Sequence, residues 1–182
     1  MTIKCEPEHH LVKEVLTLLR KLGNNRQLHK LILEPTRDMF EESSLEVNSQ
    51  IMMQQLFKII KTSNKLEMLS LGCIEELTEN MSNLLDLLRR HQSDHLTHLS
   101  LASVKEDPDH YDVLEIDCSL FNSFSKLSVL TIDYDHLCDE LLLALNSGIM
   151  ERIVIHVHNW DAIYDHMYGA SDDSWKEFTE KK

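Results

Sequence analysis

"SKLSVLTIDYDHLCDELLLAL", residues 125–145, contains two apolar periods in succession. From Leu127 to Tyr134 the apolar residues alternate with polar ones, which is typical of a strand that is buried on one face. From Asp139 the period becomes helical, with Leu141, Leu142 and Leu145 on one side. The stretch therefore predicts a strand that is followed almost at once by a helix.

The strand part of this stretch has the form Leu-x-x-Leu-x-Leu/Ile, and that form recurs along the chain. Successive copies begin 38, 30, 31 and 23 residues apart, and the last begins with Met in place of Leu. A near-constant spacing of this size with this consensus is typical of leucine-rich repeats. The five copies begin at Leu28, Leu66, Leu96, Leu127 and Met150.

The repeats predict an α/β leucine-rich-repeat solenoid of about five helix–strand units. Each unit has too much apolar surface to bury alone, so the strands are expected to stack into a parallel sheet on the concave face. Residues 1–182 are interpreted as a single domain. The segment 171–182 is expected to begin a further helix capped by Ser171 or Asp172, and we interpret the chain as a truncated or partial product of a longer protein.

Two local predictions bear on the later part of the chain. Residues 113–124 fit both alternation and a short helix, and periodicity does not decide between them. Asp139 is predicted to cap the helix that follows, which should end near Leu145. Cys118 and Cys138 are interpreted as small apolar core residues rather than reactive thiols.

Composition and charge restrict the function classes. The net charge is −13, and residues 105–140 hold ten acidic residues against two lysines. Such a surface disfavours nucleic acid and favours a protein partner with basic surface, although a solvated acidic face without a partner fits equally well. No apolar run approaches the length of a membrane span, and "MTIKCEPEHH" is not a signal peptide. Four scattered cysteines without a CxxC pair indicate reduced thiols and a cytoplasmic or nuclear location.

Strand alternation predicts which side chains face a ligand. The last two apolar residues of each motif should point into the core, so the residues between and after them should point onto the concave sheet. Affinity would come from a few anchors among them rather than from total area. The candidate protein-binding residues are Met68, His98, Ser100, Thr131, Asp133, Asp135, Arg152, His156, His158 and Trp160.

Alignment of the last two motifs places Asp133 beside His156 and Asp135 beside His158. Neighbouring strands lie about 4.8 Å apart, so we predict two lateral Asp–His pairs in which the carboxylate favours the charged imidazole. Three interpretations of these residues remain: a protein-docking patch or neutral surface, a zinc site, and a catalytic dyad with Thr131 or Ser100 as nucleophile. No P-loop, GxGxxG, HExxH or GxSxG motif occurs, and we predict no enzyme activity, no metal and no cofactor.

The segments "LTIDYDHLCDELLLAL" and "LILEPT" resemble the leucine-rich-repeat region of the F-box only proteins, in the branch of F-box only proteins thirty-three and thirty-nine. The feature that carries the resemblance is "DYDHLCDELLLAL", residues 133–145, followed by the strand "IVIHVH"; the resemblance covers most of residues 28–178. It implies a ubiquitin-ligase substrate receptor of the Ubl conjugation pathway, whose repeats hold a target protein while an F-box binds the Skp1–cullin core.

The sequence departs from that family in two places: it has no F-box, and its repeats lack a regular Asn or Cys after the strand. "EPEHHLVKEVLTLLRKL", residues 6–22, lacks the leucine-proline start and the aromatic end of an F-box. The resemblance therefore implies the substrate-binding half, with Skp1–cullin as a partner only of a longer product that carries an F-box. A free-standing repeat scaffold unrelated to ubiquitin is the alternative.

Overall fold

A computed structural model of the chain describes residues 2–5, 11–35, 45–72, 77–101, 117–133, 137–145, 148–156 and 170–180. Helices and strands alternate through these residues. In chain order the elements are β1 (Thr2–Cys5), α1 (Leu11–Leu22), β2 (Lys30–Pro35), α2 (Leu45–Thr62), β3 (Met68–Leu71), α3 (Leu77–Gln92), β4 (His98–Leu101), a 3-10 helix (Cys118–Ser123), β5 (Val129–Asp133), α4 (Asp139–Ala144), β6 (Arg152–His156) and α5 (Asp172–Glu180).

The strands of the described residues form one six-stranded sheet in the order β1-β2-β3-β4-β5-β6. Every neighbouring pair is parallel. The predicted α/β class and parallel sheet are therefore confirmed. Five of the strands coincide with the five sequence motifs, but β1 was not predicted. Ile3 pairs with Leu33, so Ile3 stands at the third apolar position of the Leu-x-x-Leu-x-Leu motif. The second apolar position falls on Met1.

The core lies between one face of the sheet and the helices. The inward leucines of β2, β3 and β4 and the inward Leu130 and Ile132 of β5 are 0–3 % exposed, as alternation predicted. They pack against buried side chains of the helices, such as Leu19, Leu56 and Leu84. Leucine or isoleucine at these inward positions fits a sheet that packs against helices, because an apolar face must be excluded from water. These inward strand residues are Leu31, Leu33, Leu69, Leu71, Leu99, Leu101, Leu130 and Ile132.

A repeated backbone contact joins each unit to the next just before the strands begin. The carbonyl of Glu67 accepts hydrogen bonds from the N–H groups of Thr97 and His98, at 2.8 and 3.1 Å. The carbonyls of Thr97 and Ser128 each accept two N–H groups of the following unit in the same way. Because the same pairing recurs at the same motif position, successive units enter the sheet in equivalent geometry, and the arrangement is repeat-like.

Helix α3 shows how the helices are stabilised at the surface. Its last turn carries Arg89, Arg90 and His91, and cations favour a helix C-terminus. Asp86 lies one turn earlier, 2.7 Å from Arg89 Nη2 and 2.6 Å from Arg90 Nη2. The hydrogen bond from Arg89 is the main cause that lowers the pKa of Asp86 below its usual value. This exposed network favours the helix, with a modest energetic contribution.

The structure resolves the ambiguous fourth segment in part. Cys118–Ser123 is a 3-10 helix, and Asp117 caps it by accepting a hydrogen bond from the Ser119 N–H at 3.1 Å. Phe121 and Phe124 are buried with their ring centroids 6.0 Å apart. The stretch 113–116 of this prediction lies outside the described residues.

The prediction that Asp139 caps α4 is wrong. Cys138 occupies the cap position without a side-chain cap hydrogen bond, and Asp139 is the first helical residue. The Asp139 carboxylate instead accepts the Ser171 N–H at 2.6 Å and the Ser171 hydroxyl at 3.1 Å. It therefore connects α4 to the start of α5. Ser171 caps α5 as predicted, because its hydroxyl accepts the N–H of Ser174 at 3.3 Å.

Helix α5 packs against the core through its aromatic residues. Phe178 is buried and belongs to the core, Trp175 is half-buried, and the two rings meet edge to face with centroids 6.3 Å apart. Within the described part of the chain, no helix is both long enough and apolar enough to cross a bilayer.

Candidate binding face of the sheet

The sheet has a second face, opposite the one that packs on the helices, and most of the candidate residues lie on it. Ile32 and Val129 are buried on this face but are not part of the core cluster that joins the sheet to the helices. We call this surface the second face. Its described residues are Lys30, Ile32, Met68, Ser70, His98, Ser100, Val129, Thr131, Asp133, Arg152, Val154 and His156.

The parallel register arranges these residues in rows that run across the strands. Successive strand pairings align the central row without a break, and we call it the hydroxyl row because three adjacent members carry hydroxyl groups. Ser70, Ser100 and Thr131 are half-buried, so their hydroxyls border solvent. The hydroxyl row consists of Ile32, Ser70, Ser100, Thr131 and Val154.

The first residues of strands β2 to β6 form a second row, which carries most of the positive charge of the face. Lys30 and Arg152 are exposed at its two ends, and Met68 and His98 are half-buried between them. The His98 ring is held in place, because its Nδ1 lies 2.8 Å from the hydroxyl of Thr97. Val129 completes the row between His98 and Arg152. We call this row the basic row.

One prediction about the second face needs correction. Asp133 was expected to be presented to a ligand, but it is 2 % exposed, and Val129 on the same strand is buried as well. Alternation gives the face to which a side chain points, but not how deeply its neighbours cover it.

One of the two predicted Asp–His neighbours is observed in the register. Asp133 pairs with His156 between β5 and β6, and His156 is exposed while Asp133 is buried. The effect of the carboxylate on the imidazole stays a prediction. Asp135 and His158, the second pair, lie outside the described residues, as does Trp160.

The geometry of the second face bears on the metal and catalytic interpretations. Among the described residues, no group of three or more His, Cys, Asp or Glu side chains is arranged to hold a metal ion. Thr131 and Ser100 lie in the hydroxyl row, on the same face as the Asp133–His156 neighbours. The arrangement can therefore offer hydrogen-bond donors and acceptors to a docked chain.

The structure also brings together two residues that the sequence analysis treated separately. Cys118, at the start of the 3-10 helix, and Cys138, at the start of α4, lie with their sulfur atoms 3.6 Å apart, and both are free thiols. Burial is the main cause that raises the pKa of the Cys118 thiol to about 12, with smaller contributions from Cys138, Glu140 and Asp117. The burial of Cys118 was predicted. The proximity was missed because no local pattern connects cysteines 20 residues apart.

A buried glutamine was also missed. Gln92, the last residue of α3, is 1 % exposed. Its carbonyl oxygen accepts the Leu66 N–H at 2.9 Å, and its amide group donates to the carbonyls of Ile60 and Ser63 at 2.8 and 2.7 Å. Thr62 is the last residue of α2. Its hydroxyl donates a hydrogen bond to the carbonyl of Gly23, just after the preceding helix α1, at 3.0 Å. Both side chains thus connect the end of one helix to the end of the preceding one.

The chain was also compared with known proteins. No protein-family model and no curated protein sequence matches it.

Proposed function

We propose that this chain is a leucine-rich-repeat solenoid domain that binds a protein partner through the second face. The observation that carries the proposal is the unbroken register of the hydroxyl row, which sets half-buried Ser70, Ser100 and Thr131 side by side on three strands. Small polar side chains in a row leave a shallow surface on which another chain can make hydrogen bonds. The repeated backbone contacts before each strand support the solenoid.

The apolar and charged residues around this row suit a protein ligand. Met68 and Val154 are half-buried and offer apolar area, while Lys30 and Arg152 are exposed at the ends of the basic row. Protein interfaces combine apolar and polar contact area, and this face offers both. Six of the ten acidic residues that favour a basic partner lie outside the described residues, so the attraction of a basic partner rests on the sequence.

The resemblance to the F-box only proteins makes the proposal more specific. On that basis the chain is the substrate-recognition part of a Skp1–cullin–F-box ubiquitin ligase. It would hold a target protein, and it would reach the ligase core only in a product that carries an F-box. A free-standing interaction scaffold remains the alternative, since the second face could bind a partner in a ligase receptor and in a scaffold alike.

A pair of arginine substitutions tests the binding face. Ser100→Arg places a long cation in the middle of the hydroxyl row, whereas Asn83→Arg places the same side chain at an exposed position of α3. In cells, proximity labelling should give a reproducible set of partners for the wild type and Asn83→Arg, and Ser100→Arg should lose most of that set. Thermal unfolding of both purified variants controls for folding. Equal labelling by two folded variants would refute the proposed face.

A second experiment separates the ligase from the scaffold. Purified Skp1 is titrated against this chain and against any longer natural product that contains an F-box. We expect no binding to this chain and binding to the longer product. A survey of transcripts that finds no F-box upstream of these residues would favour the free-standing scaffold.

A further inference from the structure

The cysteines 118 and 138 form a dithiol that lies apart from the second face. Cys118 is the first residue of the 3-10 helix, and Cys138 directly precedes α4. The two residues are 20 positions apart, and β5 lies between them in the chain. The tertiary structure alone therefore brings these thiols together.

The geometry of the two sulfur atoms is close to that needed for a bond. They lie 3.6 Å apart, and a disulfide requires about 2.05 Å, so an approach of about 1.5 Å is sufficient. Cys138 makes no side-chain cap hydrogen bond to α4, so no such bond opposes its rotation. Rotation about the side-chain torsions of two cysteines can supply a movement of this size.

The two thiols differ in accessibility, and the difference assigns their order of reaction. Cys138 is half-buried, whereas Cys118 is buried. A small disulfide in solution can therefore meet Cys138 first. Burial, with smaller contributions from Cys138, Glu140 and Asp117, keeps Cys118 in the thiol form, which slows the second step without preventing it.

We propose that Cys118 and Cys138 form a reversible intramolecular disulfide by exchange with a low-molecular-weight disulfide of the glutathione type. Cys138 loses its proton and attacks one glutathione sulfur; the glutathione disulfide bond breaks, and one glutathione leaves and takes up a proton. Cys118 then loses its proton and attacks the Cys138 sulfur, and the second glutathione leaves and takes up a proton. The dithiol is oxidised by two electrons, and one glutathione disulfide is reduced to two glutathione molecules.

The bond would join the 3-10 helix to α4. Both elements contribute buried residues to the core, Phe121 from the first and Leu141 from the second. In the oxidised form, the 3-10 helix and α4 would therefore be held together covalently near β5 and β6, at the end of the sheet. This modification is independent of the binding of a partner to the second face.

Equilibration of the purified full chain in glutathione redox buffers tests the proposal. Mass spectrometry of non-reduced peptides should show a Cys118–Cys138 linkage. Proximity in the folded chain should make the constant for disulfide formation at least about tenfold larger than for the same chain in denaturing urea. Equal constants in the folded and denatured chain would overturn the proposal, and so would a glutathione adduct that never closes.

Three variants assign the roles. Cys118→Ser should accumulate a glutathione adduct on Cys138, because no resolving thiol is present. In Cys138→Ser, a glutathione adduct should form at Cys118 much more slowly, because Cys118 is buried. The double variant Cys5→Ser/Cys73→Ser should retain the linkage and its constant. A loss of the linkage in this double variant, with far-UV circular dichroism unchanged, would contradict the assignment.

Discussion

The buried amide of Gln92 provides a quantitative test of how the repeat units are held together. The Gln92→Ala variant would leave the Leu66 N–H and the carbonyls of Ile60 and Ser63 without this partner. Each orphaned buried group costs about 1–3 kcal/mol, and water that enters the vacated space offsets part of that cost. We expect a loss of about 3 kcal/mol in the free energy of unfolding, which is large beside a typical total of about 5–15 kcal/mol.

Urea unfolding followed by circular dichroism measures this change. Gln54→Ala is the matched control, because Gln54 is exposed on α2 and the same truncation there should change the free energy by less than about 0.5 kcal/mol. Gln92→Glu separates the donors from the acceptor. It keeps an oxygen for the Leu66 N–H but turns a second oxygen toward two carbonyls, so it should destabilise the chain at neutral pH and recover in part when acid protonates the new carboxylate.

The result that would refute this reasoning is a small effect. If Gln92→Ala and Gln54→Ala shift the free energy of unfolding equally, the three hydrogen bonds contribute nothing net. Water would then satisfy the same backbone groups without a cost, and the alignment of α3 with α2 would depend on the leucine core alone.

Four further outcomes follow from single contacts. Ser63→Ala should stabilise the chain by about 1 kcal/mol in urea unfolding, because the buried Ser63 hydroxyl has no hydrogen-bond partner among the described residues. Asp139→Ala should speed hydrogen exchange of the amides of residues 172–180; hydrogen bonds from Ser171 lower the pKa of Asp139, so this stabilisation should be present above pH 3.8 and lost as the pH falls below it. Burial raises the pKa of Cys118 from 9.0 to about 12, so stability in reductant should fall as the pH rises through that interval, and Cys118→Ala should remove the fall. Metal analysis of the wild type and of His156→Ala should show no difference in bound zinc.

The sequence predicted the repeating part of the fold because that part depends on local periodicity. Leucines such as Leu69 and Leu99 are buried wherever the motif occurs, and five of the six strands observed in the described residues follow from it. The unpredicted strand, β1, carries too few motif positions to be recognised. The face to which Ser100 and Thr131 point also followed from alternation, since successive side chains of a strand point to opposite faces.

Only the tertiary structure determined the contacts between residues that are far apart in the chain and that no local sequence pattern connects. The depth of Asp133, the bond from Ser171 to Asp139 and the approach of Cys118 to Cys138 all depend on which elements become neighbours. A carboxylate at the start of a helix can cap that helix or bind another element, and the choice depends on partners that lie far away in the chain. Periodicity therefore determines which elements form and which way their residues face, whereas packing determines burial, partners and chemistry.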